Sequence, residues 1–208
     1  MPILRGAVTF TRFLVEHADD PPKDVRGWLT RALRSRAFEP LDRAGEEDRS
    51  AGFVELENPE STEFAVGNLF QGERALFAFR VEQLKIPARV LKADLEKWVR
   101  AFEAEHGHAP KRHEKAEARE GLRKKLRNRV DPSVKVTDLS WNLETQQLQL
   151  WATSKKLVEE IQALLEERLS LRLVPRSVAG VAREAKVDVE SLAPTSALFG
   201  AEVGDGEV

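Results

Sequence analysis

The chain has 208 residues, with 33 Lys and Arg against 35 Asp and Glu, no cysteine, and no apolar run near the roughly 20 residues a bilayer-spanning helix needs. Disulfides, thiol nucleophiles and Cys-ligated zinc or iron–sulfur sites are therefore excluded, and one soluble domain with or without an appendage is expected. The net charge of −2 hides a basic middle: residues 81–129 carry 14 bases and 8 acids, whereas 1–80 carry 11 and 14, and 130–208 carry 8 and 13.

Residues 3–15 alternate at Val8, Phe10, Arg12 and Leu14, which predicts a strand. Asp19-Asp20-Pro21-Pro22 ends it, and Val25, Trp28, Leu29, Ala32 and Leu33 recur at helical spacing through 23–37. Residues 42–50 read as a charged loop. Gly52–Glu57 and Phe64–Phe70 are expected as short strands around an Asn58-Pro59 turn. Residues 74–82 form the best strand of this half, with Ala75, Phe77, Phe79 and Val81 on one face. Pro87 opens a helix striped by Val90, Leu91, Leu95, Trp98, Val99 and Phe102, and Gly107 ends it. A second helix over 110–129 has only the narrow stripe Ala118, Leu122 and Leu126. Beyond Asp131-Pro132, Val134–Leu143 and Gln147–Thr153 pair as a hairpin. Ser154 is placed to cap a helix striped by Leu157, Val158, Ile161, Leu164 and Leu165, and Leu171–Val174 is a strand. The expected fold is α+β: antiparallel sheets from a β-α-β-β unit (1–84) and a β-β-α-β unit (131–178), separated by a charged helical pair (85–130). An acidic, flexible tail (179–208) follows.

Function points to the second helix. Lys111–Arg129 holds nine bases (Lys111, Arg112, Lys115, Arg119, Arg123, Lys124, Lys125, Arg127 and Arg129) and three acids (Glu114, Glu117 and Glu120). Carboxylates at i±3 or i±4 neutralise part of this, but three acids leave a surplus that needs water or phosphate. Arg119/Arg123/Arg127 and Lys111/Lys115 form i+4 ladders suited to phosphates along a groove edge, and Lys92, Lys97 and Arg100 extend the surface from the preceding helix. No aromatic interrupts the basic helix, which disfavours stacking on single strands, and Trp28, Trp98, Trp141 and Trp151 read as packing residues. His106, His108 and His113 lack metal-site spacing, and no catalytic motif or cofactor loop is present, so no catalytic residue, metal or cofactor is expected.

Two segments resemble the RdgC family. In the first, Arg80, Glu82, Ile86, Pro87 and the pair Val90-Leu91 resemble the family's strand-to-helix junction, and Glu114-Lys115, Glu120, Leu122 and Lys124 its Lys/Glu-rich helix. The second, WNLETQQLQLWATSKKLVEEIQALL, resembles the family's hairpin followed by a helix starting at Ser154, Lys155 and Lys156. In element order the similarity runs over about residues 1–176.

The resemblance implies a non-enzymatic, nonspecific binder of double-stranded DNA. It implies a homodimer, ring-shaped around the duplex, that restrains RecA-dependent recombination in the nucleoid of a bacterial cytoplasm. Family members continue past the length of this chain and carry a Leu-Pro-Arg-Ala-Phe-like segment where this sequence reads RNRVDPSVKV, which leaves ring closure open. The N-terminal MPILRGAVTF has no signal-peptide pattern, in keeping with a cytoplasmic protein and no membrane partner. The alternative reading is a protein-interaction module whose charged helices bind an acidic partner, including the chain's own acidic tail.

Overall fold

A computed structural model describes residues 9–17, 22–177, 180–182 and 185–187. Its elements are β1 (Thr11–His17), α1 (Val25–Arg34), β2 (Arg49–Glu55), α2 (Val66–Leu69), β3 (Phe70–Gln71), β4 (Arg74–Gln83), α3 (Ala88–His106) and α4 (Arg112–Arg127). β5 (Ser133–Asn142), β6 (Gln147–Leu150), α5 (Lys155–Leu169) and β7 (Leu171–Pro175) complete it. The chain is α+β, and its sheet is antiparallel throughout, in the order β2-β4-β5-β6-β1-β7 with β3 beside β4.

The pattern of β4 explains its central place. Ala75, Phe77 and Phe79 face the main core, while Leu76 and Ala78 enter a second cluster on the other face with Phe38, Val54 and Leu56. A strand apolar on both faces must be covered on both. The two clusters supply that cover, and both edges of β4 are paired as well, one with β2 and the other along ten residues of β5, Phe77 opposite Leu139 and Ala75 opposite Trp141.

Helices α1 and α5 cover the main core. Leu29 and Leu33 come from α1, and Leu157, Ile161, Leu165 and Leu169 from α5, each at helical spacing. Asp24 caps α1 by accepting the Gly27 N–H at 2.9 Å. Ser154 is the N-cap of α5, as expected, but its side chain makes no capping bond.

The expected pair of separate sheets is one sheet instead. β1, from the N-terminal segment, lies between β6 and β7 of the C-terminal segment, with Leu14 opposite both Gln147 and Val174. Within β1 the core takes Phe13 and Val15, so the alternation at Arg12 and Leu14 marks the opposite face. The part of that predicted strand at residues 3–8 lies outside the described residues, as does most of the predicted tail.

The predicted strand Phe64–Phe70 also needs correction. Phe64 has φ of 49°, which breaks extended backbone, and Val66–Leu69 close a helical turn before the two residues of β3. Buried Glu55 organises this turn by accepting from the Ala65 N–H and the Asn68 side-chain amide. That carboxylate sits ten residues upstream, beyond any periodicity argument.

The free side of β2 is met by residues 36–38 after α1, through an isolated parallel bridge between Ala37 and Phe53. Phe38 N–H donates to Phe53 O, and Phe53 N–H to Arg36 O, both at 2.9 Å. Gly52 permits this approach, because a Cβ there would lie 2.5 Å from Phe38 Cα. Gly52→Ala is therefore expected to cost about 2 kcal/mol of stability, read by urea denaturation. An unchanged midpoint would show that the segment yields freely.

Arg80 crosses the smaller core. It bonds Glu82 at 2.6 Å and Pro59 O at 2.8 Å, pairs with Glu60, and lies 4.7 Å above the Phe38 ring. Burial opposes its charge, but the bonds to Glu60 and Glu82 outweigh that and hold its pKa above the ordinary arginine value.

Candidate nucleic-acid interface

α3 and α4 form a helical hairpin set apart from the two cores. α3 begins after Pro87, whose carbonyl accepts from Val90 and Leu91, and ends where Gly107 turns left-handed at φ of 71°. None of its residues is fully buried. Leu91, Leu95, Trp98, Val99 and Phe102 are half-buried, because α4 offers only Ala118 and Leu122 to meet them. Along the outer part of α3, Phe102 stacks on His106 with ring centroids 4.1 Å apart, and Trp98 meets Phe102 at a tilt with centroids 5.2 Å apart. α4 starts where Glu114 accepts the Lys111 N–H at 2.6 Å, so one of its three acids serves the helix end.

The root of the hairpin is held by arginines. Leu126 and Arg127 are the buried residues of α4. Arg127 Nε donates to Arg43 O at 3.0 Å, and its terminal nitrogens bond Asp42 O, Glu47 O and Asp48 Oδ1. Asp48 Oδ2 also takes Arg123 at 2.8 Å. The polar loop 42–48 thus closes over the end of α4, and Arg43 extends the join to Asn128 O and Asp131. These bonds remove Arg127 from the expected DNA-binding set: its donors are used within the protein and its side chain is 7% exposed. Arg123 keeps about half its surface while paired.

The remaining bases differ in kind. Lys111, Arg112, Lys115, Arg119, Lys124, Lys125 and Arg129 are exposed, and among the described residues none joins an ion pair. Glu117 and Glu120 do not neutralise them, although both lie within reach on the same helix. Arg100, on α3, is likewise exposed and unpaired among the described residues. Lys92 and Lys97 are exposed but lie 4.0 Å from Glu96 and 3.5 Å from Asp94. Such surface pairs contribute little and exchange readily for another anion.

Between the two helices and the segment after β4 runs a groove of about 790 Å³. Arg112, Lys115, Arg119 and Arg123 stand along its α4 side together with Glu120, and Lys85 also lines it. A second recess of about 480 Å³ shares Glu120 and Arg123 with it and continues past Lys124 to Arg43. The Arg119/Arg123/Arg127 ladder therefore faces inward along these recesses, grading from exposed to buried, whereas Lys124, Lys125 and Arg129 lie outside the larger groove. Lys85 and Asp48 belong to this site and escaped sequence reasoning. The first stands alone at a strand end, and the second gains its role only by folding against α4.

Among the described residues, no group of three or more His, Asp or Glu is placed to hold a metal ion. His106 and His108 instead lie beside Phe102. Trp141 is buried, Trp28 packs edge-on against it at 6.2 Å, and Trp151 meets Phe10. None of the four tryptophans projects from α4.

A family model described as "Putative exonuclease, RdgC" matches residues 23–185. The chain belongs to the RdgC family. The match spans both segments whose residues resemble RdgC, from Arg80 through Leu126 and from Trp141 through Leu165, and the α+β antiparallel architecture accords with it. RdgC membership associates the chain with recombination and nucleic acids. No curated protein matches the chain. No helix among the described residues of this RdgC-family chain is long and apolar enough to cross a membrane.

Proposed function

We propose that the protein binds double-stranded DNA without sequence preference and, by occupying the duplex, limits access of a RecA-type recombinase. The observation that carries this reading is the set of seven exposed cations on and flanking α4 with no carboxylate partner among the described residues. A polyanion satisfies such a surplus, and contacts to phosphate oxygens fix position on a duplex without reading bases. The absence of aromatic side chains from α4 favours duplex over unpaired strands. The protein acts in the cytoplasm at the nucleoid, as a homodimer, with Trp98, Val99 and Phe102 on the outer, half-covered part of α3 available to a second subunit.

It works by occupancy rather than by catalysis. The family description includes exonuclease activity, and the two readings separate in one experiment. Labelled linear duplexes of unrelated sequence are incubated with the protein and magnesium or manganese. Equal retardation of every duplex, with unchanged strand lengths, is expected. Progressive shortening from the ends would overturn the non-catalytic reading, and retardation of one sequence alone would overturn nonspecific binding.

A further inference from the structure

The groove beside α4 has a feature that a phosphate backbone does not use. Its floor is aliphatic, built from Leu84, Ile86, Leu91 and Leu95, with the cations of α4 standing along one edge. Leu84 is buried, while Ile86, Leu91 and Leu95 stay half-covered because α4 offers few apolar residues to meet them. A strip of hydrocarbon flanked by guanidinium and ammonium groups is complementary to a peptide carrying both aliphatic or aromatic side chains and carboxylates.

This chain contains such a peptide. Residues 188–208 carry Asp188, Glu190, Glu202, Asp205 and Glu207, no Lys or Arg, and the apolar residues Leu192, Leu198 and Phe199. Its length suffices. Twenty-one residues extend to roughly 70 Å. The path from β7, which precedes it, across the sheet to β2 at the groove side crosses five strand spacings, roughly 24 Å.

We propose that residues 188–208 dock in this groove, with Leu198 and Phe199 on the aliphatic floor and the acidic residues against Arg112, Lys115 and Arg119. The segment then shields the same cations that DNA engages, so the chain carries its own competitor. That consequence rests on the DNA-binding reading; the docking itself does not.

The native chain has no cysteine, so pairs of introduced thiols report proximity cleanly. In the full chain, Ala116→Cys in the groove is combined with Ala197→Cys, and the control combines Ala197→Cys with Ala104→Cys on the exposed side of α3. An intramolecular disulfide is expected to form about tenfold faster in the groove pair than in the control. Phe199→Ser added to the groove pair is expected to remove that advantage. Equal rates in both pairs, an advantage that survives Phe199→Ser, or crosslinks only between two chains would overturn the proposal. No DNA enters the measurement. A positive disulfide result with no duplex binding would therefore reject the DNA reading alone, and the reverse would reject the docked segment alone.

Discussion

Replacing Arg112, Lys115 and Arg119 together with Glu is expected to weaken binding to any random duplex by about 10²–10³-fold at 50 mM salt. All three are exposed, and among the described residues all three lack ion-pair partners, so their loss leaves no buried carboxylate orphaned. Their side chains lie along one edge of α4, where i+3 and i+4 spacing places them in a row. Each phosphate contact releases condensed counterion, and reversing the charge adds repulsion to the loss of that release. The effect should be the same for every sequence, since phosphate contacts position without specifying. The check is fluorescence anisotropy with several unrelated duplexes, alongside a denaturation curve. A fall in affinity confined to one duplex, or none with folding intact, would move the interface away from α4.

Arg127→Ala is expected to behave in the opposite way, costing about 3 kcal/mol of stability. Its guanidinium bonds three loop carbonyls and Asp48, and its removal frees the 42–48 loop from the root of the helical hairpin. Asp48 stays partly exposed and keeps Arg123, so most of the loss comes from the carbonyl bonds and the buried stem. Lys124→Ala, three residues earlier on an exposed site, should change stability by less than about 0.5 kcal/mol. Urea denaturation of both variants checks the pair. Equal midpoints would show that the Arg127 bonds add nothing net.

These variants mark where local sequence ceased to inform. Charge counting identified α4 as a basic helix, and its narrow stripe at Ala118, Leu122 and Leu126 showed that most of its surface is uncovered. It could not separate Arg127 from Arg119, because both occupy the same i+4 row. The difference is made by Asp48 and the loop carbonyls, 79 to 85 residues away in the chain. The helices α1, α3, α4 and α5 were legible because their periodic stripes and end signals, such as Gly107, are local. β4 and the β5–β6 hairpin were legible for the same reason. The single sheet was not, since β1 finds β6 and β7 across more than a hundred residues and periodicity carries no partner information. The α2 turn was hidden by the apolar run from Phe64, which fits a strand until Glu55 claims its backbone. Lys85 and the aliphatic floor became a site only when α3 and α4 folded beside each other.

The most direct test of the account is the salt dependence of random-duplex binding by the unaltered chain, measured from 50 to 200 mM monovalent salt. If the unpaired cations on and flanking α4 meet phosphates, log K should fall linearly with log salt, with a slope of about −4.5 to −6.3 for five to seven contacts. The Arg112, Lys115 and Arg119 triple reversal should then flatten the slope by about 3. Binding that is absent at 50 mM, or a slope near zero, would contradict the claim that these side chains grip a phosphate backbone.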